Sequence, residues 1–350
     1  MARSTNMIVP ELLRFEGHRQ LQENIDVFNG ASGGAILLES KPSELALSGG
    51  DYRHKVKFAR PTDLDLHVDE ADPTTADTAA ALAQARGASV FQSRRALGSY
   101  TRDEVIRGAA TPEEFTTALA ALIEEERVLA IRNVLVGAAV AAIDSMDTPS
   151  ADYHILDVST GKATSTPKVT ATFAYLNRLF GKMRDAREKI RAVLMPGAAL
   201  TDLIADGLDP NSVGSVLAFY QNVPNVAQLA GRTLMSADIS SLYTESTSSY
   251  YDLVNILGLA AGALQATIVQ IDDVTVQEII DKKVKSWLVR QDYDIEIAIQ
   301  GMRYSSTALD ASELKNPTDA ELATAASWEE DLSDHRECGI VKGIFNSENL

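Results

Sequence analysis

From Thr111 to Asp144 the chain reads TPEEFTTALAALIEEERVLAIRNVLVGAAVAAID, with apolar residues returning at helical intervals throughout. Thr111 is placed to accept a hydrogen bond from the first turn as N-cap. Pro112 suits the first helical position, where its missing N–H costs nothing, and Glu113 and Glu114 complement the positive end of the helix dipole. One helix over 112–144 is therefore predicted. Phe115, Leu119, Leu122, Leu129, Val136, Val140 and Ile143 form one stripe, and Ile123, Ile131, Val134 and Ala138 an adjacent one. Together they predict burial over more than half the circumference in the C-terminal part. Glu124, Glu125, Glu126 and Arg127 are expected in solvent, and Pro149 is expected to end the helix.

Little that precedes this helix has a core of its own. Residues 10–28 place Leu12, Leu13, Phe15, Leu21, Ile25 and Phe28 at partly helical spacing behind Pro10, so a short amphipathic helix is expected there. Gly30, Gly33 and Gly34 then break it, and they match no phosphate-binding fingerprint. In 52–59 (YRHKVKFA), Tyr52, His54, Val56 and Phe58 alternate with Arg53, Lys55 and Lys57, the pattern of a strand with one basic face. An acidic, Ala- and Thr-rich excursion follows, then a second strand-like run, 88–100 (ASVFQSRRALGSY). Two strands joined by a long polar loop are marginal alone. Such a segment must find apolar cover elsewhere, most economically on other copies of the same chain.

Beyond the helix, a strand is expected at Tyr153 to Val158, a helix from Pro167 to about Asp185, and a buried strand at Ala192 to Met195 that hands over to a short helix at Leu200 to Ile204. Another strand is expected in Gly231 to Ile239, ending at Asp238, then a further helix and strand. The low-charge run Leu253 to Ile271 has no flanking Lys, Arg or interfacial Trp and reads as buried strands and a loop, not a membrane span. In YDIEIAIQG, Tyr293, Ile295, Ile297 and Ile299 alternate with Asp294, Glu296, Ala298 and Gln300, the clearest strand in the chain.

Composition excludes several functions. With 45% hydrophobic and 23% charged residues the chain is globular, and its net charge of −17 opposes a surface built to wrap phosphates. The single Cys338 rules out an intrachain disulfide and reads as a small hydrophobe. MARSTNMIVPELLRFEGH offers no signal-peptide core. His18, His54, His67, His154 and His335 stand singly, so no metal site is expected. No P-loop, dinucleotide fingerprint or nucleophile elbow is present, and no cofactor or catalytic residue is called for. Asp63, Asp65, Asp69, Glu70 and Asp72 lack calcium-loop spacing and read as a solvated acidic tip. Tyr243 to Tyr251 reads as a polar surface loop.

The order of these segments resembles the major capsid proteins of tailed bacteriophages, the Hong Kong 97-type fold. RAVLMPGAALTDLIADG is similar to that family's buried strand followed by a small helix, GRTLMSADI resembles its Gly, apolar strand, Asp element, and VRQDYDIEIAIQGMRY its return strand. The tail KNPTDAELATAASWEEDLSDHRECGIVKGIF resembles one coat-protein ending, with Asn316-Pro317-Thr318-Asp319, Leu322 and Trp328 as matching positions. The resemblance implies an α+β fold with an N-terminal arm (1–45), an extended two-stranded loop (46–106), a peripheral domain (107–190) containing a spine helix (112–144), an axial domain (191–285), and a return strand with C-terminal tail (286–350).

It further implies self-assembly into hexamers and pentamers of an icosahedral head around double-stranded DNA that is not tightly bound. The partners expected are other copies, a scaffolding protein, a portal and in some cases a cement protein, with assembly in the host cytoplasm and no membrane. Inter-subunit contacts are expected at Leu12, Phe15, Tyr52, Val56, Phe58, Leu64, Leu66, Val90 and Phe91. Some family members weld subunits through a loop lysine. This chain has no lysine between Phe58 and Gly161, so non-covalent cohesion is expected. The alternatives are another phage structural protein, such as a tail tube subunit, or an enzyme with an unrecognised site.

Overall fold

The computed structural model describes residues 8, 10–40, 52–58, 84–101, 111–147, 150–159, 169–208, 227–229, 231–244, 251–281, 284–304, 316–331 and 337–348. Its helices are α1 (Pro10–Ala31), α2 (Pro112–Asp144), α3 (Ser150–His154), α4 (Phe173–Gly181), α5 (Gly197–Leu208) and α6 (Asp319–Leu322). Its strands are β1 (Ile36–Ser40), β2 (Tyr52–Phe58), β3 (Gln84–Thr101), β4 (Ile155–Asp157), β5 (Ile190–Met195), β6 (Ala227–Leu229), β7 (Arg232–Ser236), β8 (Tyr243–Thr244), β9 (Tyr251–Ala260), β10 (Leu264–Asp281), β11 (Val284–Ile299), β12 (Met302–Tyr304), β13 (Trp328–Glu330) and β14 (Ile340–Glu348).

The long helix has the predicted limits. Thr111 accepts from the Glu114 backbone at 3.2 Å, while the Glu114 carboxylate accepts from the Thr111 N–H, so the start is closed by a reciprocal capping box. It ends at Ser145, whose N–H bonds the Ala141 carbonyl, several residues before Pro149, which lies outside the described residues. From Ile131 to Ile143 α2 is sandwiched. One sheet runs β1-β10-β11-β3-β2, the other β4-β14-β9-β5-β7-β6, with β8 beside β9. Ile131, Leu135 and Ile143 of α2 share one core with Ile36, Ile268 and Ile295 of the first sheet and Leu194, Leu257 and Ile340 of the second. Small residues, Ala138, Ala139, Ala141 and Ala142, let the sheets approach the helix on several sides. The far face of the second sheet is covered by α4 and α5 through Leu176, Leu179, Phe180, Ala199 and Leu203 against Val193, Ile256 and Phe345.

Several expectations need correcting. Residues 10–40, expected to find apolar cover on other copies, find it on the same chain: α1 lies along α2 with Leu13, Gly17, Leu21 and Ile25 buried at every fourth position, and β1 pairs in parallel with β10. The break after α1 comes at Gly33 and Gly34, both at positive φ, with Gly30 still helical. The run 153–158 opens as the end of α3 and becomes strand only at Ile155. The helix expected over 167–185 is confined to Phe173–Gly181, because Thr172 caps its start and a 3₁₀ segment, Arg184–Lys189, follows. Among the described residues no α-helix falls between β7 and β11: β9 and β10 fill that stretch, consistent with the reading of 253–271 as strands around a turn.

The predicted strand at Tyr293 is the C-terminal part of β11, but Glu296 on its polar side is buried as well, receiving a hydrogen bond from Ser89 at 2.5 Å. The β10–β11 hairpin straddles the expected boundary at 285 and 286, and β14 of the C-terminal segment lies between β4 and β9 in the second sheet. His154 and Cys338 are wholly buried, His154 bonding the Ile340 carbonyl at 2.7 Å.

Candidate assembly surface

The strand β3 is used twice. Residues 84–90 pair with β2, and residues 90–101 pair antiparallel with β11, so Val90 faces both Tyr52 and Ile297. Since β11 ends at Ile299, the β2–β3 ribbon runs on past the body of the sheet. The two strands match the two strand-like runs expected from the sequence and are fixed at their root by the first sheet, while residues 59–83 between them lie outside the described residues. The alternation that makes β3 a strand also gives it two faces. Gln92, Arg94, Ala96, Gly98 and Tyr100 stand opposite Ile295, Tyr293, Gln291, Val289 and Trp287 of β11, all buried beneath α2. Arg95, Leu97 and Ser99 point the other way and are exposed.

The root of the ribbon is held by the C-terminal tail. Ser93 N–H donates to Asn316 Oδ1 at 2.7 Å, Gln92 Nε2 donates to the Pro317 carbonyl at 2.9 Å, and Arg94 pairs with Asp319 at 2.7 Å. Thr318 and Glu321 form a capping box that starts α6, Leu322 is buried, and its carbonyl accepts from Trp328 Nε1 at 2.8 Å. The Asn-Pro-Thr-Asp element singled out in the sequence is thus a clamp on β3. On the outer face Asp292 accepts from Arg95 and Arg290, whose hydrogen bonds hold its carboxyl down at about 2.

Beneath α1, the N-terminal half of α2 differs from the sequence expectation. Glu124 and Arg127 are buried, with Arg127 Nη1 2.6 Å from Glu124 Oε2 and its guanidinium 4.5 Å from the Tyr293 ring centroid. Glu124 is covered by Gly17 of α1, where a Cβ would come within 3.2 Å of its carboxylate. Burial pushes the Glu124 carboxyl up to about 7, against the pull of Arg127 and of a hydrogen bond with Gln291. Leu122, expected in the core, is 62% exposed. Between its flank of α2 and β3 lies a groove of about 360 Å³, bordered by Leu122, Ile123, Ala96, Gly98 and Leu97 with Arg127 in its wall. The groove exists because Ala96 and Gly98 are small and Tyr100 folds back over Gly98, where a Cβ would meet its hydroxyl at 2.7 Å.

The expected contact residues fall in different places. Phe15 is 66% exposed on α1, whereas Leu12 and Phe91 are half-buried. Val90 is 0% exposed and belongs to the chain's own core, packed in the cluster that holds Ile131, Ile295 and Ile297. Tyr52, Val56 and Phe58 lie on β2 opposite Val90, Arg86 and Gln84; Leu64 and Leu66 lie outside the described residues. Sequence reasoning missed Leu97, Leu122 and the clamp residues Gln92 and Arg94. Among the described residues, no group of three or more His, Cys, Asp or Glu side chains is arranged for a metal, and no helix is long and apolar enough to cross a membrane.

The Gp13-like family, described as major capsid protein 13-like, matches residues 11–341, nearly the whole chain. The chain belongs to the Gp13-like family of major capsid proteins. It is a bacteriophage major capsid protein, as the order of its segments suggested. Among solved structures it is similar to the capsid of cyanophage Pam1, with 11% identity over 89% of each chain and a TM-score of 0.51. It is also similar to the capsid of Ralstonia phage GP4, with 12% identity over 91% of this chain and 88% of that one and a TM-score of 0.47. The head protein of Helicobacter pylori bacteriophage KHP40 shares 10% identity over 91% of this chain and 89% of that one, with a TM-score of 0.46. The Pam1 likeness speaks for the fold alone, a mixture of helix and sheet shared with phage capsids. A search of curated proteins returns no match.

Proposed function

We propose that this major capsid protein builds an icosahedral phage head of the Hong Kong 97 type, as hexamers and pentamers around double-stranded DNA. In this reading α2 is the spine helix, and the β2–β3 ribbon is the base of the extended loop that lies across an adjacent subunit. The observation that carries it is the ribbon itself, a two-stranded extension running past the end of β11 with its root clamped by the tail. A ribbon of that kind gains little stability alone, while in a closed ring each copy both gives and receives such a contact, so many small contacts accumulate over a large area. The net charge of −17 suits a container whose DNA must enter and leave without tight binding.

Portal and scaffolding proteins, and in some heads a cement protein, are the partners this role calls for, with assembly in the host cytoplasm and the virion as destination. The absence of lysine between Phe58 and Gly161 favours shells held without covalent links through the distal loop. Electron microscopy of the purified, overexpressed chain tests the proposal: shells are expected, and tubes or only discrete small particles would refute it. Boiling those shells in detergent and reductant should release one species at the monomer mass of 37.7 kDa.

A further inference from the structure

Residues 178–191 carry six cations, Arg178, Lys182, Arg184, Arg187, Lys189 and Arg191, against two acids, Asp185 and Glu188, in a chain whose net charge is −17. They run from the last turn of α4 through the 3₁₀ segment Arg184–Lys189 to the start of β5. Five of the six are exposed and Lys182 is half-buried. Between them Met183, Ala186 and Ile190 are buried in the core beneath, which turns the charged side chains outward. The segment is also held in place. Arg232 donates to the Arg187 carbonyl at 3.1 Å, and Lys182 Nζ donates to the Asp152 carbonyl at 3.0 Å. Arg184 has a φ of 51°, unusual for a residue with a side chain, and its guanidinium stands 4.5 Å from the Tyr153 ring centroid.

Three features say what such a patch fits. Four of its six cations are arginines, whose planar forks match phosphate oxygens. A recess of about 290 Å³ lies among Lys182, Arg184, Gly181, Tyr153 and Asp152, with room for a phosphoryl group beside two of the cations. The large apolar side chains exposed among the described residues are Phe15, Val27, Leu97, Leu122 and Ile204, and none lies in this run. A protein partner would call for apolar anchors at the centre of the contact, where charge is depleted. Interfaces with nucleic acid are instead polar and strongly positive. The acidic remainder of the chain repels a duplex, so contact is confined to this patch and stays weak.

We propose that the basic run 178–191 is the surface through which this chain touches the phosphates of duplex DNA, in a weak contact that reads no sequence. The proposal rests on the reading of the chain as a shell around DNA, and it assigns the part of the subunit that meets the packaged duplex.

The test is fluorescence anisotropy of a labelled, mixed-sequence DNA duplex titrated with the full-length chain before assembly, at low salt and at several higher salt concentrations. Binding is expected at low salt, with a slope of log affinity on log salt of about −3, as for three to four neutralised phosphates. The pair Arg184→Gln and Arg191→Gln should weaken it about tenfold or more, and the pair Arg178→Gln and Lys189→Gln should do the same from other positions in the run. Arg184→Lys with Arg191→Lys keeps the charge and should stay within about threefold of the parent. Arg19→Gln, which removes an exposed cation on α1, should change nothing. No binding at low salt, or affinity unchanged in both Gln pairs, would overturn the assignment. Poly-glutamate that binds the chain more tightly than the duplex and displaces it would also overturn it, by showing a surface made for an acidic protein. Electron microscopy scores shells separately. Shells from a parent chain that fails to bind the duplex sink the patch and leave the capsid reading intact, whereas a parent that forms no shells removes the reading on which the proposal rests.

Discussion

The two halves of α2 are built for different surroundings. From Ile131 to Ile143 the helix is closed in by both sheets and carries small and branched apolar side chains with almost no exposed position. From Pro112 to Ala130 it is closed on one side by α1 and the β3–β11 face, yet keeps Leu122 exposed, a groove beside it, and a buried ion pair, whereas every buried position of the other half is apolar. One half finishes the chain's own core. The other has the form of a surface left open for something to be laid on it, and that difference, more than the helix's length, connects the fold to assembly.

The comparison breaks first if core truncation and groove truncation cost the same. Leu135→Ala removes a side chain with 0% exposure and should cost about 2–5 kcal/mol of subunit stability. Leu122→Ala should change it by no more than about 0.5 kcal/mol, as for other exposed sites. Denaturant unfolding of the two purified variants decides this. Equal losses would mean that the two halves of α2 are buried alike.

The ion pair sharpens the contrast through pH. The folded-state pKa of Glu124, about 7, lies above its ordinary value of 4.5, so the folded chain holds this proton more tightly than the unfolded one. The contribution is favourable below pH 4.5 and is lost as pH rises toward 7. Glu124→Gln should therefore match the parent near pH 5, equal or exceed it at pH 8, and flatten the stability profile between. Arg127→Met leaves the carboxylate buried without its counter-charge and should cost about 3–5 kcal/mol at pH 8. The loss should shrink at pH 5, where Glu124 is protonated. Thermal melts across this range test both, and parallel profiles for parent and variants would show that the pair does not titrate there.

How much of this the sequence revealed depends on which physical signal each element carried. The limits of α2 were legible because its start is local chemistry, a Thr, a Pro and two acids that act within one turn. The β2–β3 ribbon and β11 were legible from period-two alternation. Glu124 and Arg127 were misread because a run of charges ordinarily marks a solvated face. Nothing within the helix shows that Gly17, on a helix about a hundred residues earlier, lies over them. Leu122 was misread for the converse reason: helical spacing tells which residues share a stripe, not whether a partner covers its whole length. That residues 10–40, within the expected arm 1–45, find cover on α2 and β10 of the same chain was not legible, because only the tertiary structure brings those contacts together. The Asn316 to Asp319 element stood out by resemblance, while its clamp function needed the position of β3.

The smallest predicted effect concerns that clamp. Asp319→Asn removes one half of a part-exposed pair with Arg94, which should cost at most about 1 kcal/mol in the subunit. Its visible consequence should be faster amide exchange in residues 90–94, with α2 unaffected. Exchange that quickened equally in both places would mean that the tail stabilises the whole sheet, not the root of the ribbon.

The central claim, that the N-terminal half of α2 and the adjacent edge of β3 are completed by another copy, is tested most directly by hydrogen–deuterium exchange on free subunits and on assembled shells of the same chain. Peptides covering 94–101 and 112–130 should exchange more slowly in shells, while 131–143, already enclosed in the free subunit, should change little. Slowing that is uniform along α2, or that spares 94–101, would contradict the account.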